Sequence, residues 1–161
     1  GKNIPEIEAF NIPFIITWGD KLKHRVEDLI LSVPDVMPTL LGLAGMEDRI
    51  PVEVQGKNYA GMLTDPGSDT AGKPTSALFI NMRSRGVYTG KYMFVVTEAE
   101  GGTADVFCYD NETDPYQLNK ISFEDLDQQT GNDLKSELAT LLKTTNDRWY
   151  QEKVCADFLT Y

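Results

Sequence analysis

Two arginines separated by one residue are the first candidates for chemistry in this sequence. Arg83 and Arg85 alternate on a segment with the pattern of a β-strand, so both side chains should lie on one face. A guanidinium can donate two parallel hydrogen bonds to one anion, so this pair could bind anionic sugar groups. The alternative is that they are surface arginines paired with carboxylates, because Asp and Glu number 25 against 15 for Lys and Arg.

The other polar candidates favour structural roles. His24 is the only histidine and stands in a cluster of basic residues at 21–25, so a solvated loop is favoured over a general base. Asp110, Glu112 and Asp114 have the residue types of a calcium loop but not the spacing of an EF-hand. Because a proline follows Asp114, this segment favours a turn, and no metal site is predicted in the chain.

The two cysteines give no signature of a metal site or a redox motif. Cys108 and Cys155 are far apart and lack Cys-x-x-Cys spacing, and a zinc site is not expected in a chain with one histidine. Two free thiols are the favoured interpretation, and a single disulfide is the other.

Charge and composition argue against two classes of partner. The formal net charge is -10, and nucleic acids or anionic membranes require clustered Lys and Arg. No apolar run approaches the roughly 20 residues that cross a bilayer. With 161 residues and 41% hydrophobic content, the chain is expected to fold as one domain, or as one small domain and part of another.

Two elements and a connector are predicted in the first part of the chain. Residues 12–18 form a continuous apolar run, which is the pattern of a strand buried on both faces of a larger sheet. A short helix is predicted over 34–44, with Ser32 as its cap and Gly45 after its end. The region 44–74 is rich in Gly, Pro, Asp and Thr and is predicted to be a long connector.

The second part is predicted to be an antiparallel sheet covered by a helix, which makes the fold class α+β. About four strands rich in Val, Ile, Phe and Tyr are expected, and Gly101 and Gly102 should turn one hairpin. The strands are expected at 77–82, 86–89, 91–97 and 105–109. A helix over 132–149 carries leucines and a tryptophan at helical spacing and should pack on one face of the sheet.

Four segments, in chain order, resemble the sulfatase family of the alkaline-phosphatase-like superfamily. The most specific is SVPDVMPTLL at 32–41 with LAG at 43–45, which is similar to the family pattern S-x-x-D-x-x-P-T-L-L-x-L-A-G. The other three are Gly1-Lys2 with the run 12–18, the segment RSRGVYTGKY at 83–92, and Tyr109-Asp110 through Asp114-Pro115 to Asn119. Together they span nearly the whole chain.

The resemblance implies how the chain is divided. Residues 1–50 would be the C-terminal end of the α/β catalytic domain, as a strand and helix remnant, 51–74 the connector, and 75–161 the C-terminal sulfatase subdomain. The strand over 12–18 would then lack its neighbours and expose unpaired edges. Homo-oligomers formed through these edges are therefore expected.

The resemblance also implies a reaction and its groups. Sulfatases hydrolyse sulfate esters, here of a sulfated carbohydrate or an aryl sulfate, with calcium and a formylglycine made from the Cys of C-x-P-S-R. Neither cysteine has that context, so both groups are expected in the full-length parent and the fragment alone is expected to be inactive. Lys2 stands at the family's active-site lysine, a cation able to bind a sulfate oxygen and offset charge on the leaving oxygen.

Two alternatives stay open at this point. A related phosphodiesterase or phosphonate hydrolase of the same superfamily would carry a Thr nucleophile and two zinc ions upstream. A noncatalytic interaction module would reuse the fold without the chemistry. Because family members are commonly exported, a periplasmic or secreted location is expected.

Overall fold

The chain forms two compact units in the computed structural model, which describes residues 4–65, 67 and 72–161. The sheet unit comprises residues 4–12 and 76–161, and the helical unit comprises the described residues of 13–75. The α-helices of the described residues are α1 (Ile7–Phe10), α2 (Val33–Leu43), α3 (Ala60–Thr64), α4 (Gln128–Thr144), α5 (Arg148–Glu152) and α6 (Ala156–Leu159). No described helix is long and apolar enough to cross a membrane.

The sheet unit contains a five-stranded antiparallel sheet whose strands neighbour one another in chain order. The strands are β1 (Ala77–Ile80), β2 (Ser84–Tyr88), β3 (Tyr92–Glu98), β4 (Ala104–Asp110) and β5 (Ile121–Ser122). The predicted α+β class and antiparallel sheet are confirmed. The fifth strand escaped prediction because two residues are too short to show a period. Gly101 and Gly102, at φ of 79° and 78°, turn the hairpin between β3 and β4 as predicted.

One face of the sheet packs against α4, as the leucine spacing predicted. The buried members of this core are Val87, Phe94, Val96, Cys108, Leu134, Leu138, Leu142, Trp149, Cys155 and Leu159. The helix predicted over 132–149 is interrupted after Thr144, because Asn146 adopts a positive φ of 51°. Asp147 then starts α5 by accepting a hydrogen bond from the Trp149 amide at 2.8 Å.

The opposite face of the sheet carries a second core. Met93, Val95, Phe107 and Tyr109 are buried there, and Phe10 of α1 packs against them together with Phe79 and Tyr88. The Phe10 ring lies 5.4 Å from the Phe79 ring, centroid to centroid. The short N-terminal helix α1 therefore covers part of this face.

The helical unit is organised around Asp35, in the most specific segment of the sequence. The Asp35 carboxylate accepts hydrogen bonds from the Ser32 amide at 2.9 Å, the Ser32 hydroxyl, and the Lys57 amide at 2.8 Å. Ser32 and Asp35 thereby form a capping box at the start of α2, where a helix was predicted. The region predicted as a connector contains α3, whose Ala60 and Leu63 pack with Leu43 in a small core.

The strand predicted over 12–18 does not form in this structure. These residues have no strand pairing, and Ile12, Phe14 and Ile15 are exposed, with Ile15 at 90%. A strand requires neighbours for its amide and carbonyl groups, and no described segment pairs with this one. An apolar run indicates a segment that can be buried, but the run by itself does not form the sheet that buries it.

Candidate functional site

Arg85, one of the two predicted anion-binding arginines, lies inside the sheet unit. Its Nε donates to both carboxylate oxygens of Asp147 at 3.0 Å, and its Nη1 donates to the Asn81 and Ser84 carbonyls. The guanidinium also lies 5.3 Å from the centroid of the Trp149 ring. Residues of the chain thus surround this guanidinium, and only 7% of its side chain is exposed.

Arg83 has different surroundings, although it is two residues from Arg85. Its side chain is exposed, and its Nη2 donates to the Glu98 carbonyl at 2.8 Å. The structure therefore does not bring the two guanidiniums together as one accessible anion site. Sequence alternation gives the face of a strand but does not show which positions on that face are covered.

Lys2, the predicted catalytic residue, lies outside the described residues. The chain after it is held on the sheet by a polar cluster, which we call the α1 anchor and define as Glu6, Ile7, Tyr109, Asn111 and Gln117. The Gln117 side-chain carbonyl accepts a hydrogen bond from the Ile7 amide, 110 residues away, and its amide donates to the Asn111 side-chain carbonyl at 2.7 Å. The Tyr109 hydroxyl donates to Glu6 Oε1 at 3.0 Å.

The α1 anchor is largely shielded from solvent. Gln117 is only 4% exposed, and Glu6 Oε2 is a buried oxygen with no hydrogen-bond partner among the described residues. Burial, and then the hydrogen bond to Glu6, raises the pKa of Tyr109 well above its usual range. Sequence reasoning missed this cluster because its partners are far apart along the chain, although Tyr109 belongs to a segment that carries the family resemblance.

The acidic segment from Asp110 to Asp114 forms a turn, as predicted. Asp110 Oδ1 accepts from the Glu112 amide at 3.0 Å, and Asp114 Oδ2 accepts from the Asn119 amide at 2.7 Å. The bond from Asn119, with a smaller opposing effect of burial, lowers the pKa of Asp114. Among the described residues, no group of three or more His, Cys, Asp and Glu side chains could hold a metal ion.

The cysteines are free and buried, which confirms the interpretation of two free thiols. Burial, reinforced by the Asp110 carboxylate, raises the pKa of the Cys108 thiol to about 12, so it is protonated and unreactive near neutral pH. His24 is exposed, in keeping with a solvated position.

A groove of about 370 Å³ lies on the outer side of α4. It is lined by Lys135 and Lys143 of that helix, by Tyr150 and Tyr161, and by small polar side chains. Of the predicted site residues that the structure describes, neither Arg83 nor Arg85 lines this groove.

Comparison with known proteins identifies relatives over nearly the whole chain. The endo-4-O-sulfatase of Bacteroides thetaiotaomicron is 35% identical over 178 aligned residues, covering 99% of this chain and 35% of that protein. The ulvan-active sulfatase of Formosa agariphila is 27% identical, in an alignment that covers 94% of this chain and 31% of that protein. No family model matches the chain.

The fold agrees with the sequence comparison. A solved structure from work on the metabolism of multiple glycosaminoglycans by Bacteroides thetaiotaomicron has a TM-score of 0.82 and 33% identity, over 89% of this chain and 33% of that one. The present chain spans about a third of the length of the curated relatives that it matches. Proteins named as sulfatases thus match nearly the whole chain in sequence and in fold, which confirms its resemblance to the sulfatase family.

Proposed function

We propose that the protein containing this chain hydrolyses sulfate esters, with sulfated glycans as its substrate class. The observation that carries the proposal is the 35% identity to an endo-4-O-sulfatase along 99% of the chain. The name of the second relative, a ulvan-active sulfatase, supports a polysaccharide-derived substrate. A similarity of this extent favours a shared reaction over a noncatalytic module that reuses the fold.

In this proposal Lys2 acts at the sulfate group. A lysine ammonium is a compact cation with three donors, suited to binding a sulfate oxygen and to offsetting negative charge on the leaving oxygen as the ester bond breaks. Its assignment is supported by the Gly-Lys pair that precedes the apolar run 12–18, as in the family.

Arg83 is the better of the two arginines for a substrate contact. Its guanidinium is exposed, whereas the Arg85 guanidinium is buried against Asp147. We therefore propose that Arg83 binds an anionic group of the glycan and that Arg85 has a structural role.

Calcium and formylglycine do not fit the described residues. These contain no acidic cluster able to hold a metal ion, and both cysteines are buried and lack the C-x-P-S-R context. We propose that other residues of the whole enzyme carry both groups, so the isolated chain should release no sulfate. The exported location of family members supports a periplasmic or secreted enzyme, which cell fractionation would test.

The proposal is tested by sulfate release from an aryl sulfate and from sulfated glycosaminoglycan oligosaccharides, with the whole matured enzyme. The Lys2→Ala variant should lose at least about tenfold in turnover, because it lacks a charge that stabilises the transition state. Lys23→Ala removes an exposed lysine and serves as the matched control. Hydrolysis of phosphodiesters without sulfate release would instead support the related phosphodiesterase.

A further inference from the structure

The segment from Tyr109 to Asn119 has no role in the chemistry proposed above, yet it makes hydrogen bonds with Glu6 and Ile7 near the start of the chain. Tyr109, Asn111 and Gln117 all belong to this segment and to the α1 anchor. Their partners, Glu6 and Ile7, follow Lys2 by four and five residues.

We infer that Gln117 and Tyr109 are positioning residues that fix the chain carrying Lys2. This inference rests on the proposed function, in which Lys2 binds the sulfate group. Four residues span at most about 14 Å even when fully extended, so holding Glu6 in place limits the volume that Lys2 can reach. An anchor on the sheet thus reduces the entropy lost when the lysine meets its substrate.

The backbone of Gln117 supports a dedicated role for its side chain. Gln117 has a φ of 52°, a left-handed conformation that is unfavourable for a residue with a side chain. The surrounding turn imposes this conformation, because the Gln117 amide donates to the Asp114 carbonyl at 2.9 Å and the Asp114 carboxylate binds the Asn119 amide. The turn at Asp114 and Pro115 therefore directs the Gln117 side chain at the Ile7 amide.

Both ends of the Gln117 side chain are engaged, which fixes its orientation. Its carbonyl accepts from Ile7, while its amide donates to Asn111, whose own amide donates to the Gly90 carbonyl at 3.1 Å. The chain of bonds ends in the backbone between β2 and β3. The hydrogen bonds thus tie α1 to the connection between the two strands β2 and β3.

The first experiment measures the anchor without measuring activity. Hydrogen exchange by mass spectrometry on residues 4–10 of the 161-residue chain compares the wild type with Gln117→Gly, which suits the positive φ but lacks the side chain. Protection of this segment should fall about tenfold or more, while α4 keeps its protection. Leu118→Gly, at an exposed neighbouring position, is the matched control.

Tyr109→Phe tests the same inference with the aromatic packing retained. It deletes only the hydroxyl that donates to Glu6, and Tyr116→Phe, on an exposed ring, is its control. If residues 4–10 keep full protection in both Gln117→Gly and Tyr109→Phe, the anchor does not hold this segment and the inference is wrong.

The second experiment asks whether the anchor acts through Lys2. In the whole enzyme, Gln117→Gly should lower kcat/KM on the order of 10- to 100-fold, as expected for misplacement of a catalytic group. In a Lys2→Ala background the same substitution should have little further effect, because its target is gone. An equal loss in both backgrounds would contradict the inference and indicate general destabilisation.

The two experiments also separate failure of the inference from failure of the proposed function. If Lys2→Ala leaves turnover unchanged, the proposed role of Lys2 is wrong, and the positioning role falls with it, whatever the exchange result. If Lys2→Ala abolishes turnover and Gln117→Gly does not reduce it, only the positioning role is wrong.

Discussion

Arg85 and Asp147 form a buried ion pair that joins strand β2 to the start of helix α5. The Arg85 Nε lies 3.0 Å from each oxygen of the Asp147 carboxylate, and less than a tenth of either side chain is exposed. Asp147 also accepts a hydrogen bond from the Trp149 amide at 2.8 Å. One carboxylate therefore neutralises a buried cation and caps a helix at the same time.

Breaking this pair should destabilise the sheet unit strongly. Arg85→Met leaves the Asp147 carboxylate buried without its counterion, and a cost of about 3–5 kcal/mol in the free energy of unfolding is expected. Urea denaturation followed by the fluorescence of buried Trp149 measures this cost. Arg83→Met, which removes an exposed arginine from the same segment, should change the stability by no more than about 0.5 kcal/mol.

Removing both charges separates the ion pair from simple packing. The double variant Arg85→Met/Asp147→Leu contains neither charge, so no buried charge lacks its partner. Part of the lost stability should therefore return, although the cap of α5 is still missing. A cost below about 1 kcal/mol for Arg85→Met alone would mean that the two charges are hydrated and that the pair is not a buried one.

How much of the structure could be predicted from the sequence depends on whether each interaction is local or joins residues that are far apart in the chain. Strand and helix periods are local, so the antiparallel sheet, the capped helix α2 and the leucine face of α4 were predictable. The burial of Arg85 was not, because alternation does not show that Asp147, 62 residues away, will cover that position. The hydrogen bond between Ile7 and Gln117 likewise forms only once the sheet has folded, and no local sequence pattern predicts it.

Asp35 should be the most sensitive polar position of the helical unit. Asp35→Ala leaves the Ser32 and Lys57 amides without their acceptor, and a loss of about 2 kcal/mol is expected because this acceptor is charged and buried. Hydrogen exchange at residues 55–60 should rise together with exchange at the start of α2. Asp48→Ala, which removes an exposed carboxylate, is the control, and an equal effect of both variants would exclude a bracing role for Asp35.

Cys108 should make the sheet unit sensitive to alkaline pH. Because the pKa of its thiol is raised from 9.0 to about 12, the folded state keeps a proton that the unfolded state loses first. This contribution to stability is complete below pH 9 and declines as the pH rises from 9 towards 12. Each pH unit in that range costs up to about 1.4 kcal/mol for one proton.

A comparison of the stability of two proteins as a function of pH separates the contribution of Cys108 from those of other groups whose pKa is raised. In Cys108→Ala the stability at pH 7 should be lower, because a fully buried side chain is truncated, but the further fall between pH 9 and 10 should be smaller than in the wild type. Parallel profiles for the two proteins would show that Cys108 ionises equally easily in both states. Tyr109 and Tyr161, whose pKa values burial also raises, act mainly above pH 10 in both proteins.

The apolar run over 12–18 should make the isolated chain self-associate. Ile12 and Ile15 are 67% and 90% exposed, and no described segment pairs with this run, so copies of the chain can bury the side chains and pair the backbone groups. The weight-average mass by sedimentation should rise with protein concentration, and Ile12→Ser/Ile15→Ser should abolish the rise. Val26→Ser/Val52→Ser removes two side chains that lie outside this run and are even more exposed, at 99% and 94%, and should leave association unchanged. A wild-type chain that stays monomeric at all concentrations would contradict this prediction. Equal effects of the two double variants would also exclude this run as the contact, because association would then depend on the total exposed apolar area.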